Sequence, residues 1–256
     1  MQMSHNTLLI TGGGSGIGRA LAEAFHALGN QVIIAGRRQR LLDETIAANP
    51  GMACALLDID SASDIARFAA QTGRNYPALN AVIHNAGIMR SENLLVATAA
   101  DAEATINTNV LGPIRLNTAL LPLLLRQPQA TIMTVSSGLA FMPLALNPSY
   151  CASKAAIHSY TESLRYQLQS TRVQVIELIP PYVQTELTGA RQANDPHAMP
   201  LADFIAEVMH LLKTSPDANE ICVERVKPMR YAEAQGKYRG FYQTFNDAMA
   251  AARAGE

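Results

Sequence analysis

The stretch Thr7-Leu8-Leu9-Ile10-Thr11-Gly12-Gly13-Gly14-Ser15-Gly16-Ile17-Gly18 decides the fold. Its first five residues form an apolar run of strand length, the glycines break that run, and a helical period follows over residues 17–28. Glycine is needed where the chain turns sharply, where backbone approaches a pyrophosphate with no Cβ in the way, and where helix and strand pack closely. The helix that follows offers free N–H groups and a positive dipole end to phosphate oxygens. Gly12, Ser15, Gly16, Ile17 and Gly18 are therefore the expected pyrophosphate contacts. A purely structural turn would also use glycines, but this one leaves a strand, opens a helix and precedes a second strand, the context a dinucleotide site requires.

Outward from this turn, short apolar runs alternate with stretches of helical period. Strands are expected at 7–11, 31–35, 52–57, 79–84, 131–136, 173–179 and 221–226. Helices are expected at 17–28, 39–48, 61–72, 102–125, 150–170 and 201–212, with Ser61 capping the third and Gly29 closing the first. Strands rich in Val, Ile and Leu with helices between them call for a parallel sheet covered on both faces. The expectation is α/β, a doubly wound Rossmann fold with a parallel sheet of about seven strands and helices on both faces, in a single domain over residues 1–256. Residues 230–252 are expected to be a helical tail, packed on the sheet edge or on another subunit. Residues 186–200 are expected to be a lid over the substrate.

Composition excludes several function classes. Lys+Arg number 20 and Asp+Glu 21, so the net charge is −1 and phosphate neutralisation cannot be a main binding term. No nucleic-acid partner is expected. The longest apolar candidate, residues 116–125, contains Asn117 and Pro122 and falls short of the ~18 residues of a spanning helix. The first residues lack the basic start of a signal peptide. Three scattered cysteines, Cys54, Cys151 and Cys222, form neither a disulfide framework nor a zinc spacing, which fits a reducing cytoplasm. The six histidines show no ligand spacing on one helix face, so no metal site is expected. Charged residues make up only 16%, below the roughly 25% of ordinary soluble domains, and that deficit points to a subunit interface.

A dinucleotide fold places the group that reads the adenosine ribose after its second strand, about 20 residues past the glycines. An acid there suits the 2′-OH of NAD, whereas this chain carries Gly36-Arg37-Arg38. Two guanidinium groups at Arg37 and Arg38 suit a 2′-phosphate, so NADP(H) is favoured over NAD(H). Solvated arginines at a helix start are the alternative. Asp58, with Ile59 after it, is the candidate for the adenine amino group, although a helix cap would read the same way.

Tyr150-Cys151-Ala152-Ser153-Lys154 places a phenol and an ammonium four residues apart at the start of a helix, on one face. With 8 tyrosines in 256 residues and lysines only at 154, 213, 227 and 237, chance supplies about 0.1 such pairs. A phenol near pKa 10 is a poor acid–base group at neutral pH, and a neighbouring cation lowers that value. A tyrosine so tuned can pass a proton to a carbonyl oxygen as hydride arrives at its carbon.

On these residues the chain resembles the single-domain branch of the short-chain dehydrogenase/reductase family. The likeness runs from Thr7 to about Val226, with the motifs in the family's order. Thr11, Gly12, Gly16 and Gly18 match TGxxxGxG, and Asn85-Ala86-Gly87 matches the NAG that follows the fourth strand beside the cofactor. The resemblance implies that Asn109 holds a water in a proton relay, that Ser137 hydrogen-bonds the substrate oxygen, and that Tyr150 is the general acid–base. It further implies that Lys154 lowers the tyrosine pKa and binds the nicotinamide ribose, and that Pro180, Val183 and Thr185 contact the nicotinamide end. Leu178-Ile179-Pro180-Pro181 and the segment 226–233 are most similar to the DltE-type oxidoreductases, a group whose name defines no chemical substrate. Pro181 stands where most members carry glycine, which removes an N–H and fixes φ near the nicotinamide. The family's Asp-Gly-Gly ending is absent, so a homodimer is expected ahead of the usual tetramer.

The function expected is NADP(H)-dependent interconversion of a ketone or aldehyde and an alcohol, acting on a small-molecule substrate. Rivals are an epimerase or dehydratase of the extended branch, and a non-catalytic NADP-binding regulatory protein, which would need the glycine turn but not the proton relay. Ser136 reads as a structural neighbour of Ser137, which lies thirteen residues before Tyr150. Cys151 lacks a histidine nearby in sequence, and His84 reads as a satisfied strand-end residue. The run Phe141-Met142-Pro143-Leu144 reads equally as core or as a substrate-facing loop, and the second reading would favour hydrophobic substrates.

Overall fold

In the computed structural model, which describes residues 1–96 and 98–254, seven strands pair into one sheet. They are β1 (Thr7–Thr11), β2 (Gln31–Gly36), β3 (Ala53–Leu56), β4 (Leu79–His84), β5 (Ala130–Val135), β6 (Val173–Ile179) and β7 (Glu220–Cys222). Their spatial order is β3-β2-β1-β4-β5-β6-β7, and every pair is parallel. The helices are α1 (Gly16–Ala27), α2 (Gln39–Ala48), α3 (Ala62–Asn75), α4 (Ala99–Ile106), α5 (Gly112–Leu124), α6 (Pro148–Leu168), α7 (Ala190–Asn194), α8 (Leu201–Thr214), α9 (Lys227–Arg230) and α10 (Tyr238–Ala254). This is the doubly wound Rossmann arrangement expected from the alternating pattern.

Successive side chains of a strand point to opposite faces, so a sheet covered on both sides needs apolar residues at every position. On one face Leu8, Ile10, Val32 and Ile34 pack with Leu21 and Phe25 of α1 and Phe204 and Val208 of α8. On the other, Leu9, Ile33, Val82 and Ile132 pack with Phe68 of α3, Leu116 and Leu120 of α5 and Leu164 of α6. Ser61 caps α3 as its position predicted, its Oγ accepting from the Asp64 N–H at 3.2 Å.

The structure corrects the single helix expected over 102–125. A five-residue π turn, Asn107–Leu111, separates α4 from α5, and the Gly112 N–H reaches back five residues to the Asn107 carbonyl. Pro113 explains the shift. It has no N–H to give the Asn109 carbonyl, the acceptor it would serve in an α-helix. The strand expected over 221–226 ends at Cys222, and Glu224–Val226 form a 3₁₀ turn. The tail is helical but broken between α9 and α10, where Gly236 takes φ +68°. Its second helix rests on the loop before α6: Asn246 accepts from the Ala145 N–H at 2.6 Å and donates to the Pro143 carbonyl at 3.1 Å.

Strand order reverses at β1, which leads outward to β2 and β3 on one side and to β4 on the other. Ligands of open α/β sheets bind in the crevice beyond the carboxyl ends of such neighbours. The glycine turn lies there, with Gly12 at φ +68° and Gly16 at φ +52°. Gly18 is needed for proximity instead. A Cβ on it would lie 2.3 Å from Asn85 Nδ2 and 2.4 Å from the Gly12 carbonyl oxygen. Gly18→Ala is therefore expected to lower unfolding stability by about 1–3 kcal/mol, read as a lower urea midpoint. Gly73→Ala within α3, where an added Cβ meets nothing within 4 Å, is expected to raise it by about 0.4–1 kcal/mol.

Candidate active site

The Thr11 hydroxyl joins the glycine turn to the exit of β4. It accepts from the N–H groups of Asn85 (3.1 Å) and Ala86 (3.0 Å) and donates to the Ile83 carbonyl (3.4 Å). The Asn85 side-chain amide returns the contact, donating to the Thr11 carbonyl at 3.0 Å. A Cβ on Gly87 would stand 3.2 Å from Asn109 Oδ1 and 3.8 Å from Lys154 Nζ, so the β4 exit, the π turn and α6 converge on one point.

From the opposite side, α6 delivers Tyr150 and Lys154, both buried at 7% and 6% exposure. Lys154 Nζ donates to the Val135 carbonyl at 2.8 Å and lies 5.5 Å from the centroid of the Tyr150 ring. Burial pulls the ammonium down to about 8, with Glu177 acting against it. The phenol behaves differently from the expectation that a cation lowers it. Burial pushes it well above the ordinary tyrosine value, and the group pulling it down is the Ser137 hydroxyl beside it.

Ser137 follows β5, and its Oγ also accepts from the Leu139 N–H at 3.1 Å. The buried Oγ of Ser136 has no hydrogen-bond partner among the described residues. Asn109 is 2% exposed, and both donors of its side-chain amide are engaged. Oδ1 accepts from the Ile88 N–H at 2.9 Å, while Nδ2 donates to the Ile88 carbonyl at 2.9 Å and to Ser153 Oγ at 3.0 Å. Pro180 accepts from the Gly138 N–H at 2.9 Å, and the Thr185 side chain lies 3.5 Å from where a Gly16 Cβ would be. Val183 is buried and bridges Met199.

At the other end of the cleft the two arginines part. Arg38 donates to Ser15 Oγ at 2.8 Å, over the glycine turn. Arg37 instead pairs with Asp60 at 3.0 Å, and that carboxylate also accepts from Thr108 Oγ1 at 2.6 Å. Asp58 does not project freely: its Oδ1 accepts from the Asp60 N–H at 3.2 Å. Ile59 beside it is buried. The helix α1 opens with no side-chain cap and no acid in its first turn among the described residues, which leaves its leading N–H groups suited to an anion.

Sequence reading missed Ser153, Asp60 and Gln192. Ser153 is buried and donates to the Tyr150 carbonyl at 2.7 Å while holding Asn109; its place three residues after Tyr150 was the available signal. Gln192, on α7, donates to the Val183 carbonyl (2.9 Å) and Thr185 Oγ1 (3.0 Å) and accepts from Thr188 Oγ1 (2.8 Å), a set no local pattern announces. The ambiguous run 141–144 is mostly core. Met142 and Leu144 are buried, and the Phe141 ring lies against His158 (4.6 Å) and the Arg230 guanidinium (4.4 Å). Cys151 is buried, and burial raises its thiol, which accepts from the Leu144 N–H at 3.2 Å. His84 is pushed down to about 4 by burial, and its Nε2 meets Asn117 Oδ1 at 3.2 Å.

Comparison with known proteins agrees with this fold. The oxidoreductase DltE of Bacillus subtilis (strain 168) is 37% identical over 249 residues, 95% of this chain and 98% of its own length. A short chain dehydrogenase of Burkholderia cenocepacia J2315, solved with NADP, superposes with a TM-score of 0.79 at 24% identity, covering 95% of this chain and 99% of that one. One of Burkholderia phymatum, solved with NAD, gives 0.78 at 20% identity, covering 92% and 93%. The short chain dehydrogenase family model matches residues 6–196. Since that match takes in every candidate site residue from Gly12 to Thr185, the chain belongs to the short chain dehydrogenase family.

Proposed function

We propose that this protein is an oxidoreductase that interconverts a ketone or aldehyde with an alcohol and prefers NADP(H). The observation that carries the reading is the meeting of Tyr150, Ser137 and Lys154 beside Gly87, at the cleft that the glycine turn opens. The residues fit a dinucleotide: glycines stand where side chains would fill the turn, α1 presents uncapped N–H groups, and Arg38 stands over Ser15. When bound, the nicotinamide supplies or accepts the hydride at the carbonyl carbon.

Tyr150 gives the balancing proton to the carbonyl oxygen in reduction and takes it back in oxidation. Ser137 holds that oxygen and steadies the charge that develops on it. Lys154 orients the ribose hydroxyls, and Asn109 holds the water through which the proton is replaced. Asn85, Ala86 and Gly87 line the cofactor cleft, Asp58 and Ile59 face the adenine end, and Pro180, Val183 and Thr185 the nicotinamide end. Residues 186–200 form the cover over the substrate. In the run 141–144, Met142 and Leu144 are buried and Phe141 and Pro143 half-buried. A homodimer in the cytoplasm is the proposed setting. Among the described residues no helix is long and apolar enough to cross a membrane.

Fluorescence titration is expected to show tighter binding of NADPH than of NADH. Arg38→Ala is expected to weaken NADPH by about 10- to 100-fold, the worth of a charge-assisted hydrogen bond, and to leave NADH nearly unchanged. Equal affinities in the parent protein refute the preference. Tyr150→Phe is expected to abolish turnover in a screen of carbonyl compounds while cofactor binding persists; retained turnover rejects the assigned acid.

The pH dependence has a definite sign. A phenol raised by burial stays protonated through neutral pH and is ready to donate, so the reduction rate is expected to be flat there. It then falls above about 8 as Lys154 loses its proton. Alcohol oxidation needs the phenolate and is expected to gain rate from neutral toward alkaline pH, which initial-rate profiles in both directions measure.

A further inference from the structure

One cross-strand row of the sheet is polar from β4 to β7. His84 lies opposite Thr134, Thr134 opposite Glu177, and Glu177 opposite Glu220, whereas the preceding row, Ile83, Met133 and Ile176, is apolar. The polar row is answered by neighbouring helices. Asn117 of α5 meets His84, Thr161 of α6 pairs with Thr134 at 2.7 Å, and His158 of α6 donates from Nδ1 to Glu177 Oε2 at 2.7 Å. Arg230 of α9 grips both oxygens of Glu220 at 2.9 and 2.8 Å.

Glu177 is the exceptional member. Its exposure is 0%, and its Oε1 has no hydrogen-bond partner among the described residues. Removing a carboxylate from water is costly unless cations answer it. Two lie on α6, four residues apart and so on one face. Lys154 sits on the Val135 carbonyl, and His158 sits on Glu177, whose register partner Thr134 immediately precedes Val135. We propose that Glu177 is a positioning residue for the same reaction, its buried charge keeping Lys154 protonated and seated beside Tyr150. The inference rests on the role given to Lys154 above.

The surrounding charges leave that task to Glu177. On β7, Glu220 is matched by Arg230, and Cys222 stands near it with its thiol raised to about 12 by burial. On α6, Glu162 lies at the exposed side of His158, 3.8 Å from Nε2, and Arg165 is turned to the Val175 and Asn219 carbonyls. His158 is raised first by its hydrogen bond to Glu177, and Glu177 acts on Lys154 against the effect of burial. The ligand atoms of His158, Glu177 and Glu220 all lie within 4.8 Å of one another, and the guanidinium of Arg230 supplies the positive charge that such a group calls for.

With lysines only at 154, 213, 227 and 237, ε-¹³C-lysine labelling gives a spectrum in which Lys154 is assigned by its loss in Lys154→Arg. Glu177→Gln is expected to move the Lys154 midpoint to lower pH by about one to three pH units, the effect of losing a nearby opposite charge. Glu177→Asp is expected to restore part of that shift, and the alkaline limb of the reduction profile is expected to follow both. A folded Glu177→Gln protein with an unmoved midpoint overturns the proposal. Should that variant not fold, the parent protein decides. With δ-¹³C-glutamate labelling, one carboxylate resonance is expected to change its chemical shift as Lys154 loses its proton and to lose that step in Lys154→Arg; no such signal also overturns it. The titration needs neither cofactor nor substrate, so its failure is separate from retained turnover in Tyr150→Phe, which would reject the reaction itself.

Discussion

The hydroxyl of Thr11 is the contact on which the cleft depends. Parallel strands β1 and β4 are adjacent only because the sheet reverses its order there, and nothing in their own ladder ties the two chain exits together. Thr11 Oγ1 does so by capping the N–H groups of Asn85 and Ala86. With both exits held, Gly12 and Gly18 can lie against Asn85, α1 can start at a set angle, and Gly87 can stand open before Asn109 and Lys154. The close packing of the turn and the openness of the cleft are thus two results of one stitched corner.

Burial then does the electrical work. Tyr150, Lys154 and Glu177 all lie in the layer between the sheet and α6, where a charge is strongly affected by whatever neighbours it has. The phenol is held neutral and the ammonium is brought near the edge of its protonated range. A site of this kind separates the roles of two groups by environment as much as by chemical identity.

What the sequence made legible was what short spans of chain determine. The β1 strand, its glycines and α1 follow one another directly, and α2, β4 and β6 have the bounds their periodicity suggests. The pairing of Tyr150 with Lys154 needs only one turn of helix. The rest depended on partners brought from far along the chain. Arg37 looked equivalent to Arg38 until Asp60 drew it aside. The register that aligns His84, Thr134, Glu177 and Glu220 spans four strands whose spacing no local pattern encodes. The run 141–144, which read equally as core or loop, buries Met142 and Leu144 and leaves Phe141 and Pro143 half-buried. Local pattern misled at 107–111, where one proline re-phased a helix.

Asp60 joins the two ends of the cleft. One of its carboxylate oxygens holds Arg37 and the other holds Thr108, while its carbonyl accepts from Asn107 Nδ2 at 3.2 Å. Arg37 and the turn that carries Asn109 are therefore only one side chain apart, although some seventy positions separate them along the chain. The adenosine end of the cleft and the π turn thus share one residue, an exposed ion pair on one carboxylate oxygen and a hydroxyl on the other.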